Sequence, residues 1–307
     1  MSKGKILITP RSMSKNGHPG LAALTNAGYE LLTPFPGKMP TEEELLSILP
    51  QCAGFLAGVE KISSKVIEAC PDLKVISRNG VGIDNVDRES AEKMGIALKV
   101  TPGANSRGVA ELTIGLMFSL IRAIPQVNSS VKSGKWERPK GMEILGKTLG
   151  VIGTGMIGRE VISMATGMGM KVLAYDLYPS DLLKDNEAVK YAPLEEVLAG
   201  SDIITLHCPA GDKPVIGNET LKLMKEGAWV VNTARSALVD DAALLTAIEE
   251  GKVSGYAVDA FDSEPPELNG LLRNDKVLTT AHIGGFTAES VDRATRAAVA
   301  NILAVLE

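Results

Sequence analysis

An α/β fold of two doubly wound parallel-sheet units is the architecture this sequence predicts, on three observations. The first hundred residues alternate short β-rich runs with helical patterns. Between Gly146 and Asp176 a strand, a glycine turn, a helix and a second strand follow without interruption, and the alternation then resumes to the end of the chain. Such alternation specifies parallel strands joined by helical crossovers that cover both faces of a sheet. At 307 residues and 45% hydrophobic composition, the chain has length and apolar material for two such units.

Taken in order, Ile6–Thr9, Tyr29–Leu32, Gly54–Ala57, Lys74–Ser77 and Ala97–Val100 read as strands. Helical stretches fall near Gly20–Ala27, Glu42–Leu49, Ser64–Ala69 and Asp87–Met94, with Gly or Pro at many junctions. Pro102-Gly103 interrupts the series. From Asn105 a long helical run follows, apolar on most of its circumference and ending at Ala123. Such a helix must be buried on more than one side, in its own core or also against a partner subunit. Beyond the glycine turn, Asp202–Leu206, Trp229–Asn232, Gly255–Val258 and Val277–Thr280 read as strands. Helices are expected at Leu194–Ala199, Glu219–Met224, Asp241–Glu250 and Ala288–Leu306. The pattern of the last helix leaves open which unit it joins.

The glycine turn reads Gly153-Thr154-Gly155-Met156-Ile157-Gly158 after the apolar run Leu149–Ile152. One glycine makes the tight turn, one lets backbone approach a pyrophosphate, and one lets helix and strand pack closely. The N–H groups at the helix start then face the phosphates. The second strand, Val172–Tyr175, stops on Asp176, 18 residues beyond Gly158. A carboxylate there accepts hydrogen bonds from adenosine-ribose hydroxyls and repels a 2′-phosphate, which favours NAD over NADP.

Composition narrows the rest. A net charge of −5 without a long basic run offers nothing to nucleic acid. The opening MSKGKILITP lacks a secretory apolar stretch, and Val109–Ile124 is too short to span a bilayer. No membrane partner is expected. Cys52, Cys70 and Cys208 are scattered and odd in number, which suits free thiols in a reducing compartment. His18, His207 and His282 are equally dispersed, so no metal site is expected. A cytoplasmic location follows as the expectation.

Four strand ends carry residues unusual for packing alone. Arg78-Asn79-Gly80-Val81-Gly82 combines close-approach glycines with exposed N–H groups, a nest suited to a carboxylate. Asn232-Thr233-Ala234-Arg235-Ser236 offers a guanidinium, Asp259 to Pro266 offers Glu264 ahead of two prolines, and Ala281-His282-Ile283-Gly284 offers an imidazole. Hydride exchange between a nicotinamide and a 2-oxo acid needs such a set. The substrate carboxylate needs a cationic clamp, and the carbonyl oxygen needs a proton donor as charge develops. A histidine suits the donor role, and a carboxylate on its other ring nitrogen orients it and favours the imidazolium.

These residues resemble the D-isomer-specific 2-hydroxyacid dehydrogenases, particularly their phosphoglycerate-dehydrogenase-like branch. The resemblance covers nearly the whole chain: RNGVGIDNVD (78–87), TPGANSRGVAELTIGLM (101–117), GKWER (134–138), GKTLGVIGTGMIGRE (146–160), NTARSALVDDAAL (232–244), AVDAFDSEPP (257–266) and AHIGG (281–285). It implies two Rossmann/flavodoxin-like domains with a cleft between them. Residues 1–102 plus 287–307 would form a substrate-binding domain, and 103–286 an NAD-binding domain. It implies Arg235, Glu264 and His282 as the catalytic set. Arg235 would hold the carboxylate and carbonyl, and His282, paired with Glu264, would act as acid and base. Gly153, Gly155, Met156, Ile157, Gly158, Asp176, His207, Pro209, Thr233, Asp259 and Gly284 would bind NAD. Thr154 would line the pyrophosphate turn, and Asp259 would meet the nicotinamide amide. Val81 and Gly82 would present N–H groups to the substrate, beside Arg78 and Asn79. A homodimer built on the Ser106–Arg138 region is implied as well.

The departures bear on the substrate. Phosphoglycerate-type members tend to carry an Arg near the end of the third strand, where this chain has Leu56-Ala57-Gly58-Val59-Glu60. Asn79 stands where that branch often has Ala, and Val81 replaces a hydroxyl residue. Ending at Glu307, the sequence leaves no room for the regulatory C-terminal domain of many members. Arg11, Lys15 or Arg78 is expected to meet a polar or anionic tail on the substrate. A small D-2-hydroxy acid is therefore the leading expectation, with D-3-phosphoglycerate as the alternative. Glyoxylate or hydroxypyruvate reduction, and an NAD-sensing corepressor, stand further off. Formate-type relatives use Gln in place of Glu264.

Overall fold

The computed structural model describes residues 2–307. The chain folds as two compact units: residues up to Asn105 together with Thr287–Glu307, and Ser106–Phe286.

The first unit is a five-stranded parallel sheet formed by β1 (Lys5–Ile8), β2 (Glu30–Leu32), β3 (Gly54–Ala57), β4 (Val75–Arg78) and β5 (Ala97–Lys99), in the order β2-β1-β3-β4-β5. Its central strands are apolar because both faces are covered. Alternate residues serve opposite faces. Leu7, Phe55 and Ile76 pack on the side of Leu45, Val66 and Ala91, whereas Ile6, Ile8, Leu56 and Val75 pack on Ala298, Val299 and Ile302 of the final helix. That helix, Ala288–Leu306, is capped by Thr287, whose hydroxyl accepts the Ser290 N–H at 3.1 Å. Arg293 Nε donates to Ala104 O and Asn301 Nδ2 to Val100 O, both at 2.9 Å, so the last helix closes the first unit.

The second unit is a seven-stranded parallel sheet of β6 (Thr148–Ile152), β7 (Lys171–Tyr175), β8 (Val189–Tyr191), β9 (Ile203–Leu206), β10 (Ala228–Asn232), β11 (Val253–Val258) and β12 (Val277–Thr279). Their order is β12-β11-β10-β9-β6-β7-β8. The winding reverses at β6, between β7 and β9, and in open α/β sheets ligands bind beyond the strand ends at such a reversal. The helix Ser106–Ile121 buries Val109, Thr113, Leu116, Met117 and Leu120 against this sheet and against the helix Met156–Gly167.

Three local features lie outside the expected elements. The helical run expected to Ala123 stops at Ile121, because Ala123 takes a left-handed φ of 49° and Pro125 starts a new helix, Ile124–Lys132, at 59° to the first. The segment after β1 is a helical turn, Arg11–Ser14, anchored by buried Met13. The short edge strand β8 has no counterpart among the expected strands, since Val-Lys-Tyr carries little periodicity of its own. Among the described residues, no single helix is long and apolar enough to cross a membrane.

Candidate functional site

The glycine turn lies at the reversal point of the second sheet. Gly153 has φ 96°, and a Cβ there would lie 2.6 Å from the backbone of His207 and Cys208. At Gly158 a Cβ would lie 2.0 Å from the carbonyl oxygen of Gly153, so glycine lets helix and strand close up. Gly155 is different: a Cβ would meet nothing within 4 Å, although its φ of −63° suits any residue. Packing therefore does not demand glycine there, whereas a ligand pressed against the backbone does. No side chain caps the following helix, which leaves the first N–H groups, those of Met156 and Ile157, for an anion. The turn thus fits a dinucleotide pyrophosphate. Gly155→Ala should cost the fold under about 1 kcal/mol as an N-cap change yet raise the NADH dissociation constant about tenfold. Gly158→Ala should instead lower stability by roughly 1–3 kcal/mol through overpacking. Calorimetric titration beside thermal melts separates the two.

Asp176 follows β7 and is held from three directions. Its Oδ2 accepts the Thr154 N–H at 2.6 Å and the Thr154 hydroxyl at 3.1 Å, and its Oδ1 accepts the Tyr178 N–H at 2.8 Å. Thr154 is expected from the resemblance to line the pyrophosphate, but its donors turn to this carboxylate. A carboxylate offers about four acceptor positions, so one remains, on Oδ1, for a ribose hydroxyl.

His207 follows β9. Its Nε2 shares a 2.8 Å hydrogen bond with the Thr205 hydroxyl, while its Nδ1 is sealed from solvent without a partner. Burial pushes the imidazole down to about 3. The unfolded chain takes up this proton near 6.5, so between these values it binds more protons than the folded chain. Stability is therefore complete above that window and falls as pH drops into it, by roughly 2 kcal/mol between pH 7.5 and pH 5. Thermal melts of His207→Gln should show a flatter acid side. Pro209 lies exposed two residues further on.

Arg235, Glu264 and His282 follow β10, β11 and β12, three neighbours in the sheet. His282 Nδ1 and Glu264 Oε1 are 2.5 Å apart. His282 adopts φ 51°, a left-handed conformation rare for a non-glycine residue, so the surrounding turn must impose it. That turn is fastened by Asp259, whose Oδ1 accepts the Thr280 hydroxyl at 2.6 Å and the Ile283 N–H at 2.9 Å, and whose Oδ2 accepts the Gly284 N–H at 2.8 Å. The Gly284 N–H is thereby engaged inside the protein, and Asp259 keeps about one acceptor position. The Arg235 turn is shaped by buried Asn232, whose Oδ1 accepts the Ala234 N–H and whose Nδ2 donates to Arg235 O at 2.8 Å and to Tyr256 Oη. Ser236 donates to Asp262, tying the Arg235 loop to the Glu264 loop. The Thr233 hydroxyl lies 2.8 Å from that of Thr113. Since Thr113 already donates to Val109 O, Thr233 donates to Thr113 and keeps lone pairs for a ligand.

In the first unit, Arg78 is buried and donates from Nε to Gly82 O at 2.9 Å and from Nη1 to Ala57 O. Part of its guanidinium thus braces the 79–82 loop, beyond the tail-binding role expected for it. Val81 is exposed, and the Val81 and Gly82 N–H groups take no acceptor among the described residues. Asn79 Oδ1 is buried without a partner. Arg11 is exposed at the start of its helical turn. Glu60, buried at the end of β3, accepts from the Thr9 hydroxyl and, at 2.8 Å, from the Gly58 N–H.

Thr113, Tyr191, Asn232, Tyr256, Asp262 and Thr280 carry supporting bonds although sequence reasoning does not single them out as site residues. Asn232 and Asp262, inside the strand-end motifs that carry Arg235 and Glu264, leave a signal. The others act through partners remote in sequence.

Comparison with known proteins adds to this geometry. The pig (Sus scrofa) D-3-phosphoglycerate dehydrogenase is 41% identical over 258 residues, 82% of this chain and 48% of that protein. The chain thus spans about half the length of such relatives. A hydroxypyruvate reductase from Thermotoga maritima is 41% identical over 260 residues, 82% of this chain and 84% of that protein. The crystal structure of the TT0316 protein from Thermus thermophilus superposes with a TM-score of 0.89 at 32% identity, covering 98% of this chain and 96% of that one. Residues 114–284 match the family described as D-isomer specific 2-hydroxyacid dehydrogenase, NAD binding domain. With its glycine turn, its acid after β7 and the Arg235, Glu264 and His282 strand ends in that stretch, the chain belongs to the D-isomer specific 2-hydroxyacid dehydrogenase family.

Proposed function

We propose that this chain interconverts a small D-2-hydroxy acid and its 2-oxo acid, with NAD as cofactor. The observation that carries this reading is the His282–Glu264 hydrogen bond at the C-terminal edge of the sheet that also bears the glycine turn. Bound NAD supplies hydride exchange at its nicotinamide. Gly155, Met156 and Ile157 hold the pyrophosphate, Asp176 a ribose hydroxyl, and Thr233 and Asp259 the nicotinamide end. Arg235 binds the substrate carboxylate bidentately and polarises the adjacent carbonyl. His282 Nε2 gives a proton to the carbonyl oxygen in reduction and takes it back in oxidation, while Glu264 on Nδ1 fixes the ring. In the first unit, the N–H groups of Val81 and Gly82 suit a carboxylate, and Arg11, Lys15 or Arg78 suits a polar or anionic tail.

D-3-phosphoglycerate dehydrogenase is the second reading, favoured by relatives of that name. Glu60 counts against it, because a buried carboxylate closes the strand end where a phosphate would need a cation. NADH oxidation over a panel of 2-oxo acids with neutral, hydroxylated, phosphorylated and sulfonated tails decides the matter. Turnover confined to phosphorylated acids would establish the second reading, and no turnover at all would sink both.

We also propose a homodimer. Residues 131–141 are all exposed, and among them Trp136 is 79% exposed, close in sequence to the exposed Ile124 and Leu145. Large apolar side chains exposed on and beside a charged arm of this kind mark an interaction surface. Sedimentation at the mass of one chain would refute it. A cytoplasmic location is proposed from the thiols: Cys52 and Cys70 are free and pushed up to about 11 by burial, so they stay protonated. Fractionation of cells tests this.

A further inference from the structure

Tyr191 lies on β8 at the edge of the second sheet and is 37 residues from Thr154 of the glycine turn, yet its hydroxyl reaches Thr154 Oγ1 at 2.9 Å. The same tyrosine oxygen accepts the Ser180 N–H at 2.9 Å. The proton order along this chain is forced. An ionised Asp176 only accepts, so the single Thr154 proton goes to it, and the Thr154 oxygen must accept from Tyr191. The Tyr191 oxygen is left to accept from Ser180. Each hydroxyl both accepts and donates, and the carboxylate at the end polarises the series. Three separate pieces of the cofactor end are tied together: the turn through Thr154, the acid through Asp176, and the 177–180 loop through Ser180.

The hydroxyl is not needed to hold its strand. β8 is already registered on β7, with Ala174 paired to Tyr191, and the Tyr191 ring packs on the apolar cluster containing Val172 and Ala174. What the hydroxyl adds is direction at the acid. With Tyr191 bonded, the Thr154 hydroxyl cannot rotate away from Asp176, and Oδ2 stays turned toward the glycine turn. Oδ1 then carries the one remaining acceptor position, and the negative charge stays fixed where a 2′-phosphate would have to sit.

We propose that Tyr191 is a positioning residue for the dinucleotide: through Thr154 it orients the Asp176 carboxylate toward a cofactor with a free 2′-hydroxyl and against one bearing a 2′-phosphate. This rests on the NAD reading given above. The test is calorimetric titration of the whole chain with NADH and with NADPH, for the wild type, Tyr191→Phe, Thr154→Val, Asp176→Ala and the Tyr191→Phe/Asp176→Ala double variant, with thermal melts alongside. Tyr191→Phe should raise the NADH dissociation constant roughly threefold to tenfold and raise that for NADPH less, so the preference for NADH narrows. Thr154→Val should do the same. In the Asp176→Ala background, Tyr191→Phe should change neither constant, because a residue acting through Asp176 is silent without it. Equal weakening of both dinucleotides, persistence of the effect without Asp176, or a lower Tm at an unchanged NADH-to-NADPH ratio would each overturn the proposal. A wild type that binds neither dinucleotide would instead remove the NAD reading itself.

Discussion

Replacing His282 by Asn is expected to lower kcat by about 100- to 10,000-fold, the usual contribution of a positioned acid–base group, while leaving the NADH dissociation constant near its wild-type value. Asn is the informative choice because position 282 has φ 51°, a conformation Asn tolerates better than Ala. The fold of the 280–284 turn is then preserved by Asp259, and the loss reports on the missing ring. Glu264→Gln should retain an acceptor for His282 Nδ1 while removing the charge, so its smaller loss isolates the electrostatic part. Single-turnover measurements of NADH oxidation with the best acid from the panel read both variants. A His282→Asn enzyme within a few fold of wild type would sink the assignment.

The second large effect is expected at Arg235. Arg235→Ala should reduce kcat/KM by about 100- to 1,000-fold, the scale of losing one charge-stabilising donor in the transition state. Because the guanidinium both binds the carboxylate and polarises the carbonyl, KM should rise and kcat should fall together. Lys should not rescue it, since a point charge cannot reproduce the planar two-pronged contact. The Asn232 amide holds the Arg235 backbone carbonyl and not its guanidinium, so the turn should survive the substitution. Unchanged melting with collapsed kcat/KM is the expected pair. A rise in KM alone would reduce Arg235 to simple substrate binding.

Much of the fold was legible because its central strands are buried on both faces and several of its helices are capped by local residues. Ile6, Leu7 and Ile8 announce a two-faced strand whatever surrounds them, and Thr41 with Glu44 closes a capping box within a single helical turn. The break at Ala123 was less legible, since apolar periodicity runs through it and only Pro125 signals the new helix. The edge strand β8 depends on pairing with β7, which a segment so short cannot announce.

For the site, the sequence by itself determined the chemical inventory: a glycine turn, an acid after the second strand, and an arginine, a glutamate and a histidine at later strand ends. These are local facts, readable because each depends on residue type and position in a short motif. Only the tertiary structure decided how they are held. It joined His282 to Glu264 across 18 residues, fastened the histidine turn to Asp259, and led a hydroxyl chain from Tyr191 through Thr154 to Asp176. It also returned the last helix to the first unit. The physical reason is the same throughout: a hydrogen bond of about 2.5–3 Å or an apolar contact depends on distance in space, and nothing in the local pattern encodes which remote residue arrives there.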